Sequence, residues 1–245
     1  MTSSKLRWYS QPSLARGAVE ARKIFSDSDF ATLKSKVKSL IEAKVGKEIP
    51  NLCDYHCLVD DKTHQTLFGS KLSRVFSERD ARDIVKLDSI QGFLEDLGDY
   101  KLTDVKLPTG RFEGRPEVYF RVVRPSKSSD VGQLHADVWF DKLLNIDYEG
   151  KRAFKTWTLL WGDSSNPGLQ FFQFDEDLLG KYVVVVDSQG NKAFNSLINT
   201  RPAVNLNMNE GDSFLFDHLT LHQGISHRSV TRVSVEIDFC PKGYR

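Results

Sequence analysis

Residues 133–139 read QLHADVW, and this short segment carries the pattern on which the interpretation of the whole chain depends. One residue separates His135 from Asp137, so on a β-strand both side chains would leave the same face. An imidazole and a carboxylate on one face can bind the same metal cation. Because a His-x-Asp pair also arises by chance, the prediction needs support from another part of the chain.

A second segment supplies that support. Residues 211–224 read GDSFLFDHLTLHQG, in which a turn opens a predicted strand that ends in His222. Two histidines and one carboxylate form the facial triad of non-haem iron(II) enzymes, which leaves coordination positions open. We therefore predict that His135, Asp137 and His222 bind the metal. His218 is the rival ligand, because on an unbroken strand it would face the same way as His222; we assign it instead to the neighbourhood of the substrate.

The spacing to a basic residue downstream favours His222 as the ligand. Arg232 stands ten residues after His222, and Ser234 shares its face of the predicted last strand. A guanidinium can bind a carboxylate through two parallel hydrogen bonds, so Arg232 with the Ser234 hydroxyl suits the distal carboxylate of a dicarboxylic acid. Gln133 precedes His135 by two residues, and we expect it to face the same cavity as a cofactor-binding residue.

The order His-x-Asp, then His, then Arg-x-Ser resembles the iron(II)/2-oxoglutarate-dependent dioxygenase superfamily, most closely its phytanoyl-CoA dioxygenase-like branch. The resemblance covers roughly residues 118–239 and includes WTLLWGDSSNPG at 157–168. It implies a double-stranded β-helix, which is a cupin-type jelly roll, together with Fe(II), 2-oxoglutarate as cosubstrate and dioxygen. It also implies that Arg232 and Ser234 bind the distal carboxylate of 2-oxoglutarate, and that Trp157 lines the cosubstrate site.

The hydrophobic pattern divides the chain into a helix-rich first part and a strand-rich second part. Residues 28–45 and 77–97 each place apolar side chains on one helical face and are predicted to be helices. The predicted strands are 117–124, 156–161, 169–174, 182–187, 204–208, 213–216 and 232–239. We expect a mainly β fold with flanking α-helices, in one domain over residues 1–245. Its helix-rich part, 1–104, would pack on a jelly-roll core formed by 105–245.

The composition excludes several classes of function. The 245 residues include 34 basic and 33 acidic side chains, for a formal net charge of +1, which argues against nucleic-acid binding. No apolar run approaches the roughly 18 to 20 residues of a membrane helix, so we expect no membrane association. Three cysteines are too few for a disulfide framework and suggest a reducing compartment, with the cytoplasm as the simplest location.

We expect the enzyme to hydroxylate an unactivated C–H bond of a polar or anionic small molecule, with release of succinate and carbon dioxide. Several basic residues near the motif favour such a substrate, and we predict that Arg124 contacts it. No catalytic side chain is predicted beyond the metal centre. One alternative is a cupin-fold metal-binding protein without turnover, in which Arg232 and Ser234 would have no purpose. The other is a cupin enzyme that needs no cosubstrate, which the carboxylate of Asp137 disfavours.

Overall fold

The computed structural model describes residues 19–106, 112–146, 152–166, 168–172, 178–180, 182–186, 192–196, 202–204 and 208–243. The α-helices in these segments are α1 (Asp27–Val45), α2 (Tyr55–Leu58), α3 (Asp61–Phe68), α4 (Glu78–Val85), α5 (Asp88–Leu97) and α6 (Asp137–Leu143). Single turns of 3-10 helix occur at Leu52–Asp54, Leu72–Arg74, Ser128–Asp130 and Leu178–Gly180. The strands are β1 (Val19–Arg22), β2 (Tyr100–Leu102), β3 (Asp104–Lys106), β4 (Phe112–Pro116), β5 (Val118–Val123), β6 (Phe154–Trp161), β7 (Leu169–Phe172), β8 (Tyr182–Val186), β9 (Lys192–Ser196), β10 (Pro202–Val204), β11 (Ser213–Asp217), β12 (His222–Gly224) and β13 (Arg232–Pro241).

The strands form two sheets and two separate pairs. The larger sheet has the order β1-β11-β6-β13-β2, and β5 also pairs with β13. The smaller sheet has the order β10-β7-β12, while β3 pairs with β4 and β8 pairs with β9. The described pairings are all antiparallel. The long strand β13 therefore lies between β6 on one side and β5 with β2 on the other.

The helices cover one face of the larger sheet. Leu33, Val37 and Ile41 form the buried stripe of α1, and they belong to the same apolar cluster as alternate residues of the sheet. On β13 these alternate residues are Val233, Val235, Ile237 and Phe239. Because successive side chains of a strand point to opposite faces, the residues between them point away from the helices.

The other face of the larger sheet looks toward the smaller sheet. Phe171 of β7 packs against two rings of β11, with centroid distances of 5.0 Å to Phe214 and 5.3 Å to Phe216. These edge-on contacts belong to a second apolar cluster, which also contains Trp157. The interior between the two sheets is thus apolar at this end, and the polar residues described below occupy the remainder.

The first predicted helix is confirmed, and the second is wrong as a single helix. Helix α1 begins after Ser26, whose Oγ accepts a hydrogen bond from the Asp29 amide at 3.2 Å, and ends at Gly46, where φ is 77°. The predicted helix 77–97 is divided into α4 and α5, because Leu87 is extended with ψ of 135°. Apolar periodicity did not reveal the break, since each short helix buries its own face.

The helix-rich first part also contributes strands. Strand β1 pairs with β11 and β2 pairs with β13, so residues before 105 extend the larger sheet at both edges. Most predicted strands of the second part are found within a residue or two of their bounds, apart from 173–174 and 187, which lie outside the described residues. The predicted strand 204–208 is not confirmed, because the observed strand β10 shares only Val204 with it, Met208 is not in a strand, and 205–207 lie outside the described residues. The architecture is mixed helix and antiparallel sheet, and the jelly-roll topology stays a prediction.

None of the described helices combines the length and the apolar composition that a membrane span requires.

We predict that Phe120→Ala destabilises the protein by about 3 to 5 kcal/mol, because the cavity left behind would lie between sheet and helices. Phe120 is fully buried on β5, and its ring contacts Phe68 and Phe76 at centroid distances of 5.7 and 5.6 Å. The matched control is Leu58→Ala, at a position that is 41% exposed, which should change stability by less than about 0.5 kcal/mol. Urea unfolding measures both, and equal losses would contradict this account of the core.

Candidate metal centre and its cavity

The backbone around His135 and Asp137 differs from the predicted strand. His135 forms an isolated antiparallel bridge with His222, in which each amide donates to the other's carbonyl at 2.9 Å. Asp137 is the first residue of α6, so the pair does not share a strand face as predicted. The two side chains nevertheless converge, because the chain turns into the helix immediately after the bridge.

The structure brings His135, Asp137 and His222 into one cluster. One potential ligand atom from each lies within 4.8 Å of the others, and the distance from His135 Nε2 to Asp137 Oδ1 is 3.7 Å. His135 Nδ1 donates a hydrogen bond to the Gln133 carbonyl at 2.5 Å, and His222 Nδ1 donates to the Thr220 carbonyl at 2.9 Å. Because a carbonyl only accepts, each Nδ1 carries the proton and each Nε2 keeps its lone pair, as in metal-binding histidines.

The protonation states also suit a metal. Burial, with a smaller effect from His222, lowers the pKa of His135 to about 3, and burial lowers the pKa of His222 as well. Both rings are therefore neutral at neutral pH, which is the form that binds metals. Burial alone would raise the pKa of Asp137, but the ammonium of Lys155, together with the protonated ring of His218, lowers it well below its usual value. The donor set is thus two neutral nitrogens and one carboxylate.

Lys155 is a site residue that the sequence analysis missed. Its Nζ lies 2.9 Å from Asp137 Oδ2 and 3.0 Å from the Tyr119 hydroxyl, with Glu236 and Asp238 at 3.6 and 3.7 Å. Burial would lower the pKa of this ammonium, but the surrounding carboxylates raise it well above its usual value. The sequence could have indicated this residue, because Lys155 is two residues before Trp157 and therefore points to the same face of β6.

His218 occupies the same cavity as the triad but has different partners. Strand β11 ends at Asp217, so the unbroken strand on which His218 and His222 were compared does not exist. His218 Nδ1 lies 2.7 Å from Asp141 Oδ2, and Nε2 lies 3.7 Å from Asp238 Oδ1. Burial opposes the charged ring, but Asp141 raises the pKa of His218 to about 9. A protonated imidazole between two carboxylates is a poor metal ligand.

Arg232 is fully buried, and two of its donors are unused. Nη1 donates to Ser234 Oγ at 3.2 Å, and the guanidinium carbon lies 5.1 Å from the Trp157 ring centre. Nε and Nη2 have no hydrogen-bond partner among the described residues. Burial, reinforced by Arg121, lowers the pKa of Arg232 to about 9. A buried guanidinium that forms no ion pair with a carboxylate of the described residues is costly, so this arrangement fits an anionic ligand.

A glycine makes room for this guanidinium. Gly168, with φ of 83°, follows the turn that leads into β7, and a Cβ atom there would lie 2.2 Å from Arg232 Cδ. Only a residue without a side chain permits both the positive φ and the close approach. The turn before β7 therefore shapes the wall beside Arg232.

One cavity of 1020 Å³ connects these groups. Of the predicted site residues, those that line it are His135, Asp137, His222, His218, Gln133, Trp157 and Arg232. Ser234 does not line the cavity itself but accepts a hydrogen bond from Arg232, which does. The lining also includes Glu236 and Asp238, which were missed although they continue the alternation that begins at Arg232 on β13.

The structure does not bring Arg124 to this cavity, which corrects its assignment to the substrate. Its guanidinium donates to Asp130 through Nε at 2.8 Å and through Nη2 at 2.9 Å, and Nη1 donates to Asp61. Residues close in sequence to the motif thus need not be close to the site. Arg124 is buried, and its fork joins α3 to the turn at Ser128–Asp130.

Comparison with known proteins was informative only at the level of structure. No family model matches the sequence, and no curated protein does. The crystal structure of AviO1 from Streptomyces viridochromogenes Tue57 has a TM-score of 0.51 and 11% identity, over 94% of this chain and 92% of that one. The epimerase SnoN, in complex with Fe3+, alpha ketoglutarate and nogalamycin RO, has a TM-score of 0.50 and 10% identity, over 94% and 82%.

EvdMO1 is similar over 90% of this chain with 12% identity and a TM-score of 0.49, but this chain spans only 46% of the EvdMO1 chain. At such identities the similarity to AviO1 and SnoN concerns the fold. The chain therefore has a fold like that of an enzyme that binds iron and alpha ketoglutarate, and it carries a His/Asp/His group that could hold a metal.

The charged form of His218 should make the stability of the protein depend on pH. The pKa is raised from 6.5 to about 9 by Asp141 on α6 and Asp238 on β13, with Lys106 of β3 opposing. The stabilisation is fully present below pH 6.5 and is lost as the pH rises through 9. We therefore expect wild type to exceed His218→Asn in free energy of unfolding near pH 6, with a gap that narrows toward pH 10. Urea titrations across this range measure it, and a gap that widens with pH would contradict the assignment.

Proposed function

We propose that this protein is an Fe(II)- and 2-oxoglutarate-dependent oxygenase that hydroxylates a C–H bond of a polar or anionic small molecule. The observation that carries the proposal is the combination, in one cavity, of the His135/Asp137/His222 cluster with a buried guanidinium that has unused donors. The cluster alone would suit any divalent metal with imidazole and carboxylate ligands. Arg232 adds the feature that a carboxylate-containing cosubstrate requires.

His135 Nε2, His222 Nε2 and a carboxylate oxygen of Asp137 would hold the metal. When bound, the iron would supply the oxidative chemistry on dioxygen and 2-oxoglutarate, with succinate and carbon dioxide as products. The carbonyls of Gln133 and Thr220 orient the two imidazoles and keep their Nε2 atoms directed at the cluster. Lys155 offsets the negative charge of Asp137, which limits the cost of burying the carboxylate.

Arg232 would bind the distal carboxylate of 2-oxoglutarate. Nε and Nη2 remain for the ligand, and Ser234 holds Nη1, so the plane of the guanidinium is determined before the ligand arrives. The Trp157 ring lies against that guanidinium and shields it from water. A desolvated guanidinium binds a carboxylate strongly, because both hydrogen bonds are charge-assisted.

The alternatives make different demands on the same residues. A metal-binding protein without turnover, or a cosubstrate-independent cupin enzyme, leaves the unused donors of Arg232 without explanation. Analysis of the product distinguishes hydroxylation from epimerisation, because hydroxylation adds one oxygen atom to the substrate and epimerisation adds none. The phytanoyl-CoA dioxygenase-like branch stays a prediction that rests on the sequence alone.

We predict that His222→Ala abolishes Fe(II)-dependent succinate formation, as should His135→Ala and Asp137→Ala, because each removes one of three metal ligands. His218→Ala should retain metal binding, since its ring is engaged by Asp141. Anaerobic Fe(II) binding, followed by calorimetry and by the visible band that appears with 2-oxoglutarate, separates loss of metal from loss of fold. Activity retained in His222→Ala and lost in His218→Ala would show that the wrong histidine was chosen.

We predict that Arg232→Lys raises the 2-oxoglutarate concentration for half-maximal succinate release by about tenfold or more. An ammonium cannot reproduce the two-donor geometry, and a lost charge-assisted hydrogen bond costs about 1.5 to 3 kcal/mol. Ser234→Ala should have a smaller effect, near 1 kcal/mol, and neither change should alter Fe(II) affinity. Cosubstrate titration in both variants is the measurement. An unchanged requirement in Arg232→Lys would remove the main support for a 2-oxoglutarate enzyme.

A further inference from the structure

A second group of cations lines the cavity beside Arg232. Arg121 lies on β5 directly opposite Ser234 in the register with β13. Arg74 ends the turn Leu72–Arg74, and the following Val75 bridges to Tyr119 of β5. Tyr119 and Arg121 are two residues apart, so their side chains point to the same face of β5. The bridge between Val75 and Tyr119 therefore brings Arg74 to the cavity face of that strand. Both arginines line the cavity.

Among the described residues, neither Arg74 nor Arg121 has enough hydrogen-bond acceptors for all of its N–H groups. Among the described residues, Arg74 donates one hydrogen bond, from Nε to the Ser70 carbonyl at 3.1 Å. Arg121 Nε lies 3.4 Å from Glu236 Oε1, which is a long contact. Burial lowers the pKa of Arg74 to about 10, and Arg121 is the next largest cause, so the two cations are close enough to repel each other.

The charges that line the cavity do not balance at this end. The cations are Lys71, Arg74, Lys106, Arg121, Lys155, Arg232 and the protonated His218, and the acids are Asp137, Asp141, Glu236 and Asp238. Lys106 pairs with Asp141 at 2.6 Å, Lys155 pairs with Asp137 at 2.9 Å, and Lys71 pairs with Glu117 outside the lining. Asp238 faces Lys155 and the His218 ring.

After these pairings, three arginines face the single carboxylate of Glu236. Glu236 also accepts from the Tyr119 hydroxyl and lies 3.6 Å from Lys155, so it offsets at most one arginine. Two positive charges remain. One of them, at Arg232, is assigned above to the cosubstrate, which leaves about one positive charge at Arg74 and Arg121.

We infer that Arg74 and Arg121 form a separate anion subsite, which binds a carboxylate group of the primary substrate. This inference rests on the proposed function, because it assumes that Arg232 serves the cosubstrate. A carboxylate matches the residual charge and the fork geometry of a guanidinium. The substrate is thus a small carboxylic acid, held at the end of the cavity where the Leu72–Arg74 turn meets β5.

The test compares benzoate with benzamide, which has nearly the same shape and no charge. Calorimetric titration of the full-length protein, without metal or 2-oxoglutarate, should show benzoate binding about tenfold or more tighter than benzamide. Because the empty Arg232 clamp would also bind a carboxylate, the variants are compared in the Arg232→Gln background. There Arg74→Gln should weaken benzoate binding by about tenfold, which corresponds to about 1.4 kcal/mol. Arg121→Gln carries the same expectation and decides the question if Arg74→Gln does not fold. The matched control is Arg79→Gln, at an exposed position on α4, which should bind benzoate as wild type does.

Arg232→Gln separates this subsite from the cosubstrate clamp. Benzoate should still bind Arg232→Gln, and more tightly than benzamide does. Binding of 2-oxoglutarate in the presence of Fe(II) should stay within about twofold of wild type in Arg74→Gln. The inference is overturned if benzoate does not bind, if neither Arg74→Gln nor Arg121→Gln weakens its binding in the Arg232→Gln background, or if Arg232→Gln alone abolishes it. Because the benzoate titration needs no metal, its result remains interpretable even if iron-dependent turnover is never observed.

Discussion

Strand β13 has to satisfy two environments at once, and the alternation of its side chains makes this possible. Val233, Val235 and Ile237 pack against the helices, while Arg232, Ser234, Glu236 and Asp238 point to the opposite side. A shift of one residue in register would bury the charges among the helices and expose the apolar side chains to the cavity. The apolar half of β13 therefore determines the position of its polar half, and with it the chemistry of the cavity wall.

Burying so many charges is tolerable because most of them compensate one another. Lys155 lies among Asp137, Glu236 and Asp238, and His218 lies between Asp141 and Asp238. Each contact lowers the cost of removing an ion from water, although a buried pair is weak support for stability in itself. The groups left over are the informative ones, because a folded protein keeps an uncompensated buried cation only where a ligand can meet it.

Prediction from the sequence succeeded where a local pattern reflects a local cause. The apolar face of α1 and the placement of Arg232 and Ser234 on one face of β13 depend on neighbours in the chain. It failed where a tertiary contact overrides the pattern. Asp137 starts a helix rather than continuing a strand. Arg124 donates its hydrogen bonds to Asp130 and Asp61 and not to a ligand in the cavity.

The amino-acid sequence by itself determined which residues could bind a metal and a carboxylate, because ligand chemistry belongs to the residue types. Strand alternation correctly placed Arg232 beside Ser234, but it misplaced Asp137, which starts a helix. Only the tertiary structure decided which histidine has a free Nε2, since that depends on whether a carbonyl or a carboxylate faces Nδ1. It also decided that Lys155, Arg74 and Arg121 share one cavity. They come from separate segments, and no local periodicity records distances between segments that meet only when the sheet and its helices pack together.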